Sequence, residues 1–169
     1  LKSVERRAFR MAMLAVKNEA DALDIVQDSM MKLAHSYGHL QGSDGTDQWR
    51  PLFYTILQNC IMDFHRKQSR WRRWFVRQSD EEDEPDVQDK IVDLELNPEQ
   101  YLQTQQMGKE VLDIIEGLPV QQQQCFLLRC WEELSVQETA DIMKVSQSSV
   151  KTHYARAVQK IQQVIYEKT

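Results

Sequence analysis

Glycine and proline are scarce, at 5 and 4 of 169 residues. Glycine supplies tight turns and proline interrupts ladders, so this chain has little of the turn chemistry that a sandwich or barrel needs. There are 3 cysteines, Cys60, Cys125 and Cys130, and no two stand in a C-x-x-C pair. They cannot all pair, which argues against a disulfide scaffold and a zinc finger and for a reducing cytoplasm. No run approaches the roughly 18 apolar residues of a membrane span, so no membrane insertion is expected. No basic, apolar, small-residue leader is visible, and the opening at Leu1 rather than Met leads us to expect a trimmed or incomplete start. The chain is instead rich in Gln, Leu, Met and Lys, which favour helices. Its 41% hydrophobic and 28% charged residues fit a folded chain of one or two small domains.

The net charge of -5 conceals a strong segregation. Residues 1–78 carry 13 basic and 8 acidic side chains, a net of +5. Residues 79–99 set Lys90 against ten acids, a net of -9. Residues 100–169 carry 7 basic and 8 acidic side chains, a net of -1. Like charges in a block repel one another and seldom fold alone, so residues 79–97 read as a linker, with Pro85 and Pro98 as breakers. The expected organisation is an N-terminal unit over 1–78, the acidic linker over 79–97, and a C-terminal unit over 98–169.

Both units read as helical. Val26, Met30, Leu33 and Tyr37 recur at helical spacing. Phe53, Ile56, Leu57, Cys60, Ile61 and Phe64 do the same between Trp49 and Lys67. The stretch GHLQGSDGTDQ between them holds three glycines and reads as a loop. After the linker, Val111, Ile114, Ile115 and Leu118 line another face, stopped by Gly117 and Pro119. Phe126, Leu127 and Cys130 fit a further helix beginning near Pro119, which favours a first turn. No alternating run argues for a sheet.

The most informative stretch is ELSVQETADIMKVSQSSVKTHYARAVQKI, residues 133–161. Ser135 and Glu138 form a capping box that opens a helix through about Met143. Lys144-Val145-Ser146 is a short turn, and Ser146 caps a second helix through about Val164. Helices joined so tightly must cross closely, and Ala140 is small enough for the contact, with Ile142, Val145 and Val150 filling the space. This is the pattern of a helix-turn-helix. The turn calls for positive φ at Lys144, which costs a non-glycine residue about 1 kcal/mol. The outer face of the second helix presents Gln147, Ser148, Lys151, Thr152, Ala155, Arg156 and Gln159. Short polar groups and cations suit base edges and phosphates in a major groove. A plain helical hairpin with a solvated face is the bland alternative.

A second signal is DFHRKQSRWRRWFVR, residues 63–77, where six cations interleave with Trp71, Trp74 and Phe75. Cations attract phosphates, and aromatic faces stack on unpaired bases. A basic helix end with aromatics on the core would look the same.

At these residues the chain resembles the small bacterial RNA polymerase sigma factors of the extracytoplasmic-function (ECF) group, within the sigma-70 family. NEADALDIVQDSMMKLAHSY resembles the family's helix with a D-x-x-Q-[DE] core. WRPLFYTILQNCIMDFHRKQSR resembles its W-L-x-x-I-x-x-N-x-x-x-D-x-x-R block, with Leu52 and Phe53 standing where that block has Trp and Leu. Residues 118–161 resemble its L-P-x-x-x-x-x-x-F-x-L-x-x-x-E-x-x-S-x-x-E-x-A block. The order of the three blocks across an acidic linker, with no folded middle domain, is what marks the small group.

The resemblance implies an all-α chain of two helical domains, and it implies roles. Asp24, Gln27, Asp28 and Lys32 match the surface that docks on core RNA polymerase. Asn59, Asp63, Arg66, Lys67 and Arg70 match the helix that lies along the minus-ten promoter element. The loop from Gly38 to Gln48 matches the one that captures a flipped base, whose extrusion costs a few kcal/mol. Of Trp49, Phe53 and Tyr54, which are candidates for stacking on DNA, Trp49 and Phe53 are expected in the core. Ser149, Lys151, Thr152 and Arg156, with the outer-face residues above, would read the minus-thirty-five element. His153 stands where the family often has Arg, so that contact is expected to be weaker or pH-dependent.

Such a chain needs no cofactor and performs no bond chemistry. Two reading units on a flexible tether gain avidity when polymerase spaces them, and the free chain is expected to bind promoter DNA poorly. Its partners would be core polymerase, promoter DNA and an anti-sigma protein. Two rivals differ in class. A stand-alone helix-turn-helix regulator would need a dimer face or ligand pocket, which the N-terminal block lacks. A thiol enzyme would need a base beside Cys60 or Cys125, and no local motif brings one. The pair His35 and His39 supplies too few ligands for a metal by itself.

Overall fold

A computed structural model describes residues 2–38, 49–76 and 108–167. Apart from Gly38, which ends a helix, the loop from Gly38 to Gln48 and the linker over 79–97 fall outside the described residues. Among those residues there are seven helices and no strand. They are α1 (Lys2–Val16), α2 (Glu19–Gly38), α3 (Trp49–Val76), α4 (Gly108–Glu116), α5 (Val120–Cys130), α6 (Val136–Met143) and α7 (Gln147–Glu167).

The first three helices form the N-terminal unit. The α1 helix was not singled out in the sequence, although Val4, Ala8, Met11, Ala12 and Ala15 recur at helical spacing. Ala8, Ala12 and Ala15 are buried beside Val4 and Met11, which lets α1 approach α2 and α3 closely. Asn18 accepts the Asp21 N–H at 3.0 Å and caps α2. On α2, Ala22, Ile25, Val26, Ser29 and Leu33 turn inward, and the buried Ser29 hydroxyl donates to Ile25 O at 2.7 Å. On α3, Phe53, Tyr54, Leu57, Cys60 and Ile61 complete the core. Phe53 and Trp49 pack as expected, Trp49 at the core edge, but Tyr54 is also buried and has no face to offer DNA. The α3 helix runs on through the basic stretch to Val76, past the Lys67 limit that its apolar face suggested.

In the C-terminal unit, α4 ends at Gly117 and Pro119 sits at the N-cap of α5, as the sequence requires. Ile115, Phe126, Leu127, Leu128, Val158 and Ile161 share one core. The helix-turn-helix forms as read. Glu138 N–H donates to Ser135 Oγ at 3.1 Å, and Ser135 N–H donates to the Glu138 carboxylate at 2.7 Å. These bonds hold the Glu138 pKa below the usual carboxylate range. Lys144 adopts φ 56° and ψ 44°, the left-handed conformation the turn demands, and Val145 N–H closes onto Ala140 O at 3.1 Å. Lys144→Gly should therefore raise stability, by up to about 1 kcal/mol, in urea unfolding. Ser149 N–H donates to Ser146 Oγ at 3.1 Å and starts α7.

The reading of two drifting modules differs from the structure. One buried cluster contains residues of both units, with α6 against α3 and α5 against α1. Buried polar groups accompany this apolar packing. Gln58 on α3 donates to Gln124 Oε1 at 2.7 Å, and Gln124 donates to Met11 O at 3.1 Å. Gln123 donates to Leu14 O and to Ile115 O, each at 3.0 Å. The Glu132 side chain is 0% exposed, and Arg50 pairs with it at 2.9 Å and Arg7 at 3.5 Å. These residues were not singled out in the sequence, since no spacing reveals that side chains 82 or 125 positions apart will meet.

Candidate nucleic-acid and polymerase interfaces

Three surfaces carry the residues that the sequence singled out. The first is the outer face of α7. Gln147, Ser148 and Lys151 are exposed there, and Ser149, Thr152, Ala155 and Arg156 are half-buried. Gln147 is tied to Gln137 of α6, and Thr152 donates to Ser148 O at 3.0 Å, so the N-terminal turn is held in place. Short, pre-positioned polar side chains with cations at their flank can meet base edges while Lys151 and Arg156 meet phosphates. Behind this face the helix is anchored by Val150 and by Tyr154, whose ring stacks on Phe126 at 6.0 Å and lies under the Arg129 guanidinium at 5.5 Å.

His153 lies at the edge of that face. It is half-buried, and its Nδ1 has no hydrogen-bond partner. Burial, and then the Arg156 charge, holds its pKa below the ordinary 6.5. The ring is therefore neutral near pH 7 and cannot replace an arginine as a phosphate anchor. In the unfolded chain it takes up a proton near pH 6.5, which the folded chain resists. Stability should thus fall as pH drops through about 6.5, and His153→Gln should flatten that part of the urea-midpoint profile.

The second surface is α3. Asp63, Arg66, Lys67 and Arg70 are exposed and Asn59 is half-buried, with Asp63 and Arg66 paired at 3.1 Å. Trp71 and Trp74 are 63% and 73% exposed, with rings edge to face at 6.3 Å. They stand among Arg70, Arg72 and Arg73, so the reading of core-packed aromatics at this helix end does not hold for them. Asn59, Arg66 and Arg70 also line a groove of about 580 Å³ whose far wall is Val120 and the helix-turn-helix turn.

The third surface is α2. Asp24, Gln27, Asp28 and Lys32 are all exposed along one side. Lys32 and Asp28 pair at 2.7 Å, which lowers the Asp28 pKa and raises that of Lys32. The exposed Leu23 and Met31 flank them, apolar anchors that charge alone did not reveal. Polar groups around protruding apolar side chains suit a protein contact.

The thiols lend no support to nucleophilic chemistry. Burial raises Cys125 to about 12 and Cys130 to about 11. Cys60 is buried, with Asp28 and Lys32 each 3.5 Å from its sulfur. His39 lies outside the described residues. No described helix is long and apolar enough to cross a membrane.

Comparison with known proteins finds two family regions in this chain. The family model for Sigma-70 region 2 matches residues 1–71, and that for Sigma-70, region 4 matches residues 108–161. The chain is 32% identical over 150 residues to RNA polymerase sigma factor SigV of Bacillus subtilis (strain 168), covering 89% of this chain and 79% of that one. It is 25% identical over 143 residues to the ECF RNA polymerase sigma factor SigX of the same organism, covering 85% and 70%. Among solved structures, the fold is similar to the sigma factor RpoE of Bartonella quintana, crystallised with the anti-sigma factor NepR. The TM-score is 0.63 at 22% identity, covering 98% of this chain and 94% of that one. With two family regions in order around an acidic segment, this chain belongs to the sigma-70 family of RNA polymerase sigma factors, in its extracytoplasmic-function group.

Proposed function

We propose that this chain binds core RNA polymerase, directs it to a promoter and takes part in opening the DNA there, while performing no bond chemistry itself. The observation that carries the reading is the pairing of the two sigma regions, each with its cationic helix exposed. In this reading α2 docks on the polymerase through Asp24, Gln27, Asp28 and Lys32, with Leu23 and Met31 as apolar anchors. Along the minus-ten element, Asn59, Asp63, Arg66, Lys67 and Arg70 follow the strand, and cations there offset the charge of the opened backbone. Gln147, Ser148, Ser149, Lys151, Thr152, Ala155 and Arg156 enter the major groove of the minus-thirty-five element. The domain limits are 1–78 and 98–169, with 79–97 between them. The chain works in the cytoplasm, where its three free thiols persist, and an anti-sigma protein restrains it.

The test is in-vitro transcription. The purified chain is added to sigma-free core polymerase on genomic DNA and the start sites are mapped. New, sequence-specific starts are expected, and their absence would count heavily against the proposal. Met31→Asp, which puts a charge on a side chain 72% exposed, should weaken polymerase binding roughly tenfold or more in a pull-down titration and leave the helical content unchanged.

A further inference from the structure

The α7 helix is held from behind by one turn of α5. Phe126, Arg129 and Cys130 stand at i, i+3 and i+4, so they share a face of that helix. All three meet the half-buried Tyr154 of α7. The Phe126 ring lies nearly parallel to the Tyr154 ring, at 6.0 Å and 16°. The Arg129 guanidinium covers the Tyr154 ring at 5.5 Å, and the Cys130 sulfur is 3.9 Å from the Tyr154 hydroxyl. Stacked rings and a cation over an aromatic face are directional contacts, so they fix rotation as well as distance.

Arg129 also reaches a second element. Its Nη1 donates to Leu134 O, in the segment that joins α5 to α6. That segment turns sharply. Glu133 has φ 54°, a left-handed conformation unfavourable for a non-glycine residue, and Leu134 N–H closes onto Leu128 O at 3.2 Å. Ser135, the next residue, is the N-cap of α6. One planar guanidinium thus stands on α5, bonds the entry to α6 and covers a ring of α7. Among the described residues no carboxylate pairs with it.

Tyr154 sits among the side chains that would read the duplex. Lys151 precedes it by three residues and Arg156 follows it by two. A helix that rolls about its axis carries both with it. Hydrogen bonds to base edges need narrow distances and angles, whereas phosphate contacts carry no sequence information. A small roll therefore costs discrimination between sequences before it costs total affinity.

We propose that Arg129 is a positioning residue for promoter reading, which acts through Tyr154 to set the roll of α7 and so governs specificity rather than affinity. This rests on the functional reading above, in which α7 enters the duplex.

The experiment uses the full chain bound to core polymerase and two duplexes, read by fluorescence anisotropy across a salt series. One duplex is enriched by the wild-type complex from a random library, and the other is its scrambled counterpart. Arg129→Met keeps an apolar stem and removes the guanidinium. It should lower the affinity ratio between the two duplexes roughly tenfold, with the scrambled-duplex affinity, the salt slope and the helical content unchanged. Tyr154→Leu should do the same, and the double variant should be no worse than either single one, because the pair acts as a unit. Tyr154→Phe keeps the ring and should preserve the ratio. Arg129→Lys keeps the charge without the planar fork and should not restore it. An undiminished ratio in Arg129→Met, additive losses in the double variant, or full rescue by lysine would each overturn the proposal. Equal weakening on both duplexes with a shallower salt slope would make Arg129 a phosphate contact and overturn it too. So would loss of helical content in both Arg129→Met and Arg129→Lys, which would leave a residue needed only for folding. A wild-type complex that enriches no sequence would sink the functional reading together with this role, whereas an enriched duplex on which every variant keeps the wild-type ratio would sink this role alone.

Discussion

Replacing Arg7 and Arg50 together by alanine is expected to lower stability by about 3 kcal/mol or more in urea unfolding followed by circular dichroism. The reason lies in the partner that remains. The Glu132 side chain is 0% exposed, and these two guanidiniums are its ion-pair partners. Without them a carboxylate stays buried with no opposite charge, and removing one side of such a pair is far costlier than removing both. Glu132→Gln should therefore cost less, since the arginines are 47% and 41% exposed and water can take over their charges. The chain can escape the penalty by parting the two units and hydrating Glu132. The double-alanine chain should then unfold in two steps, the first reporting separation. A loss below about 1 kcal/mol with a single transition would mean that water already reaches Glu132 in the closed form.

The second large effect concerns the recognition helix. Lys151→Ala with Arg156→Ala should weaken binding of the polymerase complex to a minus-thirty-five duplex by roughly a hundredfold, measured by fluorescence anisotropy. The slope of log affinity against log salt should become shallower by about one for each phosphate contact removed. Lys151 is exposed and Arg156 half-buried, outside the buried cluster, so the helical content and urea midpoint should barely move. Unchanged DNA affinity in the double variant would show that α7 does not read the duplex. The control is Leu127→Ala, at 0% exposure, which should lose about 2–5 kcal/mol of stability and with it any binding.

The helix-turn-helix was legible because its signals are local. A capping box spans four residues, a left-handed turn one, and a close crossing needs one small side chain, which Ala140 supplies. The α1 helix was equally legible though it was not singled out, since Val4, Ala8, Met11, Ala12 and Ala15 recur at helical spacing. Tyr54 illustrates a different limit. Its position beside Phe53 in an aromatic, basic neighbourhood suits DNA stacking as well as burial, and only the neighbouring helices decide between them. Trp71 and Trp74 went the other way, at 63% and 73% exposure. Leu23 and Met31 read as ordinary helix residues until their exposure set them beside Asp24 and Asp28.

The amino-acid order alone settled the helical class, the caps, the segregation of charge and the family, because each depends on residues close in sequence or on a motif carried whole. Tertiary structure decided whether the two units stand apart or pack, and what they pack through. That outcome turns on Glu132 meeting Arg7 and Arg50, and on Gln124 meeting Gln58. Such meetings depend on how long helices are placed relative to one another. The energy of each contact is a small difference between desolvation and pairing, and no local pattern encodes its sign.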